Sequence, residues 1–373
     1  MRPLSSTIAR LATLRAQPRP GNSAAAGRLR ALRDFGSNPG ALGAWFYVPE
    51  GVRENAPLVV VLHGCTQDAA GYDLASGWSQ LADEQGFIVL FPEQRRANNT
   101  NLCFNWFEPA DSRRGGGEPL SIVQMIGAIV DREGVDPSRI YVNGLSAGGA
   151  MASVMLATYP ELFAGGAIIA GLPFGAAAGV PQALERMRGT PGPSEAALAA
   201  AIRGASPHVG PWPTISIWHG TADHVVALAN ADAILKQWQA IHGVLPDLER
   251  FETVDGHPHR TWHDAKGRVV IEDYRITGMG HGTPLDTKGA APCGRIGPHM
   301  LEAGISSTRR LADFWALRDA AAPRKRQASR PRPQPIPAAL DRRGPARAAT
   351  PSPAAGGVGK VIEDALRAAG LMR

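Results

Sequence analysis

The 373-residue sequence has little of what would settle its class at a glance. It holds three cysteines, an odd number and too few for a disulfide scaffold. Aromatic residues make up 6%. No apolar run reaches the roughly 18 residues of a transmembrane helix, so no membrane span is expected. Arg10 and Arg15 interrupt the segment Pro3 to Gln17, which therefore lacks the apolar core of a secretory signal, and the cytoplasm is the expected location. The formal net charge is +6, but the arginines gather near the two ends. That distribution does not make a basic patch interleaved with aromatics, and a nucleic-acid partner is not expected. Oligomeric state is left open.

Apolar residues make up 44% of the chain. That is enough for one large core, and about 250–280 residues suit a single α/β domain. Residues 1–34 read as a flexible segment with a short helix carrying Ile8, Leu11 and Leu14 at helical spacing. Ala44 to Val48 is strand-like, and Pro57 to Leu62 and Phe87 to Phe91 are continuous apolar runs of the kind buried on both faces of a parallel sheet. Helical sequence at 119–133 leads to Ile140, Phe163 to Ala170 is the next strand, and 171–212 is Ala-, Pro- and Gly-rich, suiting a cap or insertion. Pro213 to Trp218 and Val269 to Ile276 are strand-like, 228–241 is helical by period, and a last helix is expected from Ser306 to Leu317. The alternation implies a mostly parallel, doubly wound α/β sheet with helices on both faces, over 35–318. Residues 319–356 are Ala, Pro and Arg with hardly any apolar anchors and read as a disordered linker, followed by a short amphipathic helix in 357–373.

The stretch from Ile140 to Ala150 reads I-Y-V-N-G-L-S-A-G-G-A and contains G-x-S-x-G. In that pattern a serine stands on a sharp strand-to-helix turn, and the glycines two before and two after remove clashing Cβ atoms. A serine hydroxyl needs a base within hydrogen-bond reach and an acid that fixes the base's tautomer. In the order Ser, Asp, His, each at a strand end, the candidates are Ser146, Asp223 in H-G-T-A-D and His281 in G-M-G-H-G. Asp255, Asp264 and Asp273 are rivals for the acid. His257, His259 and His263 could suggest a metal site, but the segment has no thiolate and no helical i, i+4 pair, so a solvated loop is expected, with no metal and no cofactor.

A tetrahedral intermediate needs two donors for its oxyanion. The expected pair is the backbone N–H of Ala147, after the serine, and that of Cys65 in H-G-C, after an early strand. Cys65 and Cys103 both lie in loops expected at one end of the sheet, where a disulfide would tie the Asn105–Trp106 loop to the oxyanion loop; free thiols are the alternative. Asn105, Trp106 and Trp218 are candidates for the substrate pocket, with core packing the alternative for the tryptophans.

Taken together, F-G-S-N-P-G-A-L at 35–42, P-L-V-V-V-L-H-G-C-T-Q at 57–67, C-F-N-W-F at 103–107, G-L-S-A-G-G-A-M at 144–151, W-H-G-T-A-D at 218–223, G-M-G-H at 278–281 and G-I-S-S-T-R-R-L-A-D-F-W at 304–315 carry a resemblance. The chain resembles the poly(3-hydroxybutyrate) depolymerase family of esterases, a branch of the α/β-hydrolases similar to feruloyl and acetylxylan esterases. The resemblance implies hydrolysis of short-chain hydroxyalkanoate esters, oligomers or polymer, with Ser146, Asp223 and His281 as the triad. It makes an extracellular location the second expectation. A feruloyl or acetylxylan type of esterase is the alternative activity. The alternative from another class is a non-catalytic protein attached to hydrophobic granules through its two terminal segments.

Overall fold

A computed structural model describes residues 27–319. The short helix expected around Ile8 to Leu14, the linker beyond 319 and the helix in 357–373 lie outside the described residues.

Among the described residues ten strands form one sheet in the order β1-β2-β4-β3-β5-β6-β7-β10-β9-β8. The strands are β1 (Arg30–Ala31), β2 (Gly43–Tyr47), β3 (Leu58–Leu62), β4 (Ile88–Glu93), β5 (Ile140–Leu145), β6 (Gly165–Ile169), β7 (Thr214–Gly220), β8 (Arg250–Val254), β9 (His257–His263) and β10 (Val269–Ile276). From β4 to β10 in the sheet, neighbouring strands run parallel, and the flanking pairs on either side are antiparallel. The mostly parallel, doubly wound sheet expected from the alternation is what the chain forms.

The apolar run in β3 shows why this order is stable. Side chains alternate across a strand, so Leu58, Val60 and Leu62 enter one core while Val59 and Val61 enter the other. Helices α3 (Gly117–Glu133), α4 (Ala147–Thr158) and α7 (Ala229–His242) close the first core. The second is closed by α1 (Ala69–Ser76), α2 (Trp78–Gln85) and α8 (Ser307–Phe314). Among the described residues no helix is long and apolar enough to cross a membrane.

One segment differs from expectation. The polar stretch 250–263, where a solvated loop was expected around the histidines, forms β8 at the sheet edge, exposed along most of its length, and β9 between β8 and β10, where His257 and His259 are buried. Segment 171–212, expected as a cap or insertion, carries two helices, α5 (Val180–Met187) and α6 (Glu195–Ala205). A small parallel pair, β11 (Thr283–Leu285) and β12 (Met300–Glu302), stands apart from the main sheet. Because β3, β4, β5, β7 and β10 are parallel, the loops that follow them all emerge at one end of the sheet.

Candidate active site

Ser146 sits between the last residue of β5 and the first of α4, with φ 57° and ψ −117°. That backbone conformation is unfavourable for a residue with a Cβ, and it is held by the Ser146 N–H donating to Ile169 O at 2.9 Å and by Ser146 O accepting from Ala150 N at 2.8 Å. The two flanking glycines are required by close approach. A Cβ on Gly144 would lie 2.3 Å from Gly148 O, and one on Gly148 would lie 2.3 Å from Leu62 O. The first turn of α4 therefore lies directly against the chain leaving β3. Ser146 remains 6% exposed.

The chain leaving β3 is tied down amide by amide. His63 donates from Nδ1 to Gly64 O at 2.7 Å and accepts the Gln94 N–H at Nε2, 3.1 Å away. Both ring nitrogens are thus used by a neutral imidazole, and burial pushes its pKa down. The Gly64 N–H goes to Gln67 Oε1 at 2.8 Å, the Thr66 N–H to Asn101 O at 2.7 Å and the Gln67 N–H to Gly64 O at 3.3 Å. Among the described residues, the Cys65 N–H is the amide from Gly64 to Gln67 left without a hydrogen bond. The Ala147 N–H opens α4 and, like the first amides of any helix, has no acceptor within its own helix.

Cys65 is joined to Cys103 by a disulfide. The Cys103 loop is held in turn by Gln94, whose Nε2 donates to Cys103 O at 3.1 Å and to Glu118 Oε1 at 2.6 Å, while Glu118 Oε2 accepts the Asn105 N–H at 3.0 Å. Glu118 is buried, and burial, helped by the nearby charge of Asp111, pushes its pKa up to about 8.

Asp223 and His281, 58 residues apart in the chain, meet at 2.7 Å between Oδ2 and Nδ1. The carboxylate can only accept, so Nδ1 carries the proton and Nε2 is left as an acceptor. That Nε2 is buried and has no hydrogen-bond partner among the described residues. Asp223 Oδ1 accepts the N–H groups of Val225 and Val226 at 2.8 and 2.9 Å. His219 adds a second imidazole: its Nε2 lies 2.8 Å from Val226 O and 3.4 Å from Asp223 Oδ2. Burial works to raise the Asp223 pKa, but hydrogen bonds from His219 and His281 outweigh it and hold the carboxyl well below the usual carboxylate range. A buried carboxylate, an oriented imidazole with a free Nε2, a strained serine and two uncommitted amides are the parts acyl transfer requires.

The other candidates have other duties. Trp218, expected in the substrate pocket, is a core residue with 0% exposure. Its ring stacks on Tyr274 at 3.8 Å and its Nε1–H donates to Ser216 Oγ at 2.7 Å, because alternation along β7 turns it away from the strand end and into the second core. Trp106 is largely buried with its ring edge-to-face against Phe107. The Asn105 side chain accepts from Asn99 Nδ2 at 3.0 Å and donates towards Asp111. Among the rival acids, Asp255 pairs with Arg310, Asp264 with Arg268, and Asp273 with Arg260 and Arg275. His257 lies 2.9 Å from Ala303 O, and His259 is held between Glu252 and Glu272. Sequence reasoning missed His219 and His299; the first stands four residues before Asp223, a spacing that could have flagged it, whereas nothing local marks the second.

Residues 42–249 match the family model described as esterase PHB depolymerase. The chain is 46% identical over 291 residues to a poly(3-hydroxyalkanoate) depolymerase C of Paucimonas lemoignei, covering 78% of this chain and 70% of that one. It is 30% identical over 270 residues to a feruloyl esterase B of Talaromyces stipitatus, with 70% and 74% covered. Among solved structures, an acetyl xylan esterase from Aspergillus awamori superposes with a TM-score of 0.66 at 24% identity, covering 78% of this chain and 99% of that one. That likeness shows a shared α/β-hydrolase fold.

Proposed function

Since the chain belongs to the PHB depolymerase family of esterases and is a carboxylic ester hydrolase, we propose that Ser146, Asp223 and His281 carry its chemistry on hydroxyalkanoate esters. Ser146 Oγ attacks the ester carbonyl while His281 Nε2 takes its proton, and Asp223 steadies the imidazolium that forms. The N–H groups of Cys65 and Ala147 receive the charge that develops on the carbonyl oxygen. His281 then returns the proton to the leaving alcohol, and a water, deprotonated by the same Nε2, releases the acid from Ser146.

The observation that carries this reading is the 2.7 Å Asp223–His281 contact, which leaves His281 Nε2 buried and unpartnered among the described residues. For the substrate, the 46% identity to a poly(3-hydroxyalkanoate) depolymerase, against 30% to a feruloyl esterase, favours short-chain hydroxyalkanoate esters, oligomers or polymer. The test is hydrolysis of p-nitrophenyl butyrate and of 3-hydroxybutyrate oligomers by the full chain and by Ser146→Ala. Loss of both activities in a folded S146A supports the reading, and full activity in S146A defeats it. Faster turnover of feruloyl or acetylxylan esters than of hydroxybutyrate oligomers would move the substrate to the alternative.

A further inference from the structure

His299 stands beside His281 although 18 residues separate them. Its Nδ1 donates to the backbone carbonyl of His281 at 3.1 Å, and the two rings meet edge-to-face at 5.7 Å. The backbone of His299 grips the same segment, its carbonyl accepting the Thr283 N–H at 2.8 Å. Between these two bonds lies Gly282, where a Cβ would sit 2.5 Å from His299 O. His299 adopts φ 60°, a conformation costly for a residue with a Cβ and retained only where surroundings enforce it. The enforcement comes from the β11–β12 pair, which registers Thr283 against Met300, and from Tyr72 Oη, 3.1 Å from Thr283 Oγ1.

We propose that His299 is a positioning residue for the esterase reaction, holding the loop of the base through its bond to the His281 carbonyl. The inference rests on the role of His281 given above. Asp223 fixes the imidazole from Nδ1, which leaves rotation of the whole 280–283 segment unopposed by that contact. His299 opposes it from the main chain, using one side-chain donor and one carbonyl acceptor on residues two apart. A base displaced by about 1 Å loses on the order of 100-fold in rate, so small freedom in this loop is enough to matter.

The experiment compares kcat and KM on p-nitrophenyl butyrate for the full chain, His299→Leu and His299→Asn, with folding checked by circular dichroism and thermal melting. Asn tolerates a left-handed backbone and keeps a side-chain N–H donor. H299L should lose about 10- to 100-fold in kcat with KM within about twofold, and H299N should recover most of the loss. Should H299L fail to fold, His299→Gly accepts the backbone without strain, lacks the donor and carries the same expectation. A folded H299L or H299G with unchanged kcat overturns the proposal, as does a raised KM at unchanged kcat or an H299N as impaired as H299L. An inactive parent chain would instead overturn the functional reading itself.

Discussion

Cys65 and Cys103, 38 residues apart, are covalently joined at the point where the Thr66 N–H also reaches Asn101 O at 2.7 Å. The loop that offers the free Cys65 amide is thus fastened twice to the loop after β4, at Cys65 itself and at Thr66. Removing the bond with Cys103→Ser should lower stability by about 2–4 kcal/mol. It should also cut kcat more than KM, because the loosened amide would meet the oxyanion and not the ground-state ester. Chemical unfolding with paired kinetics checks both, and thiol titration of the denatured, unreduced wild type should count one thiol, that of Cys293.

Asp223→Asn keeps the shape of the acid while allowing the wrong imidazole tautomer at His281. A fall in kcat of about 10³–10⁴-fold is expected, with the protein still folded. The same substitution should change acid stability. The folded-state pKa of Asp223 is depressed, so its contribution is present above the unfolded value near 4 and is lost as pH falls below it. Urea midpoints between pH 5 and pH 3 should drop less steeply in D223N than in wild type.

The central sheet was legible because β3, β4 and β10 are unbroken apolar or alternating runs ended by turn residues, and the serine turn was legible because close approach demands Gly144 and Gly148. Strands β8 and β9 were not, since a hairpin whose outer strand is exposed on both faces carries polar residues throughout and reads as loop. His299 was hidden for a different reason. Its place beside His281 depends on pairing between two three-residue strands, β11 and β12, too short to leave a periodic signal. For Trp218 the sequence left pocket and core packing open, and alternation along β7 decides for the second core.

Trp218 therefore predicts a stability phenotype. Trp218→Ala should destabilise the fold by about 3–5 kcal/mol through lost stacking on Tyr274 and the cavity left behind. Trp218→Phe, which keeps a ring but gives up the Ser216 hydrogen bond, should be milder and should leave KM for butyrate esters within about twofold. A large KM change in a folded W218F, measured by steady-state kinetics, would return this residue to the substrate pocket.

Glu118 makes the fold sensitive to alkali. Its side chain is buried with Gln94 Nε2 and the Asn105 N–H as donors, and its pKa of about 8 reflects burial first and the charge of Asp111 second. A carboxyl whose folded pKa is raised favours the protonated native state. Its contribution is full below the unfolded value of 4.5 and declines as pH rises towards 8. Over that window wild-type stability should fall by up to about 1.4 kcal/mol per pH unit. Glu118→Gln has no proton to lose, so from pH 5 to pH 8 its unfolding free energy should fall less than that of the wild type. It should start from a lower value at pH 5, because an amide cannot accept at both positions that the carboxyl serves and one donor, Gln94 Nε2 or the Asn105 N–H, is left poorly matched. Denaturant titrations at pH 5, 6.5 and 8 separate the two effects: parallel slopes in wild type and E118Q would mean that Glu118 is ionised throughout.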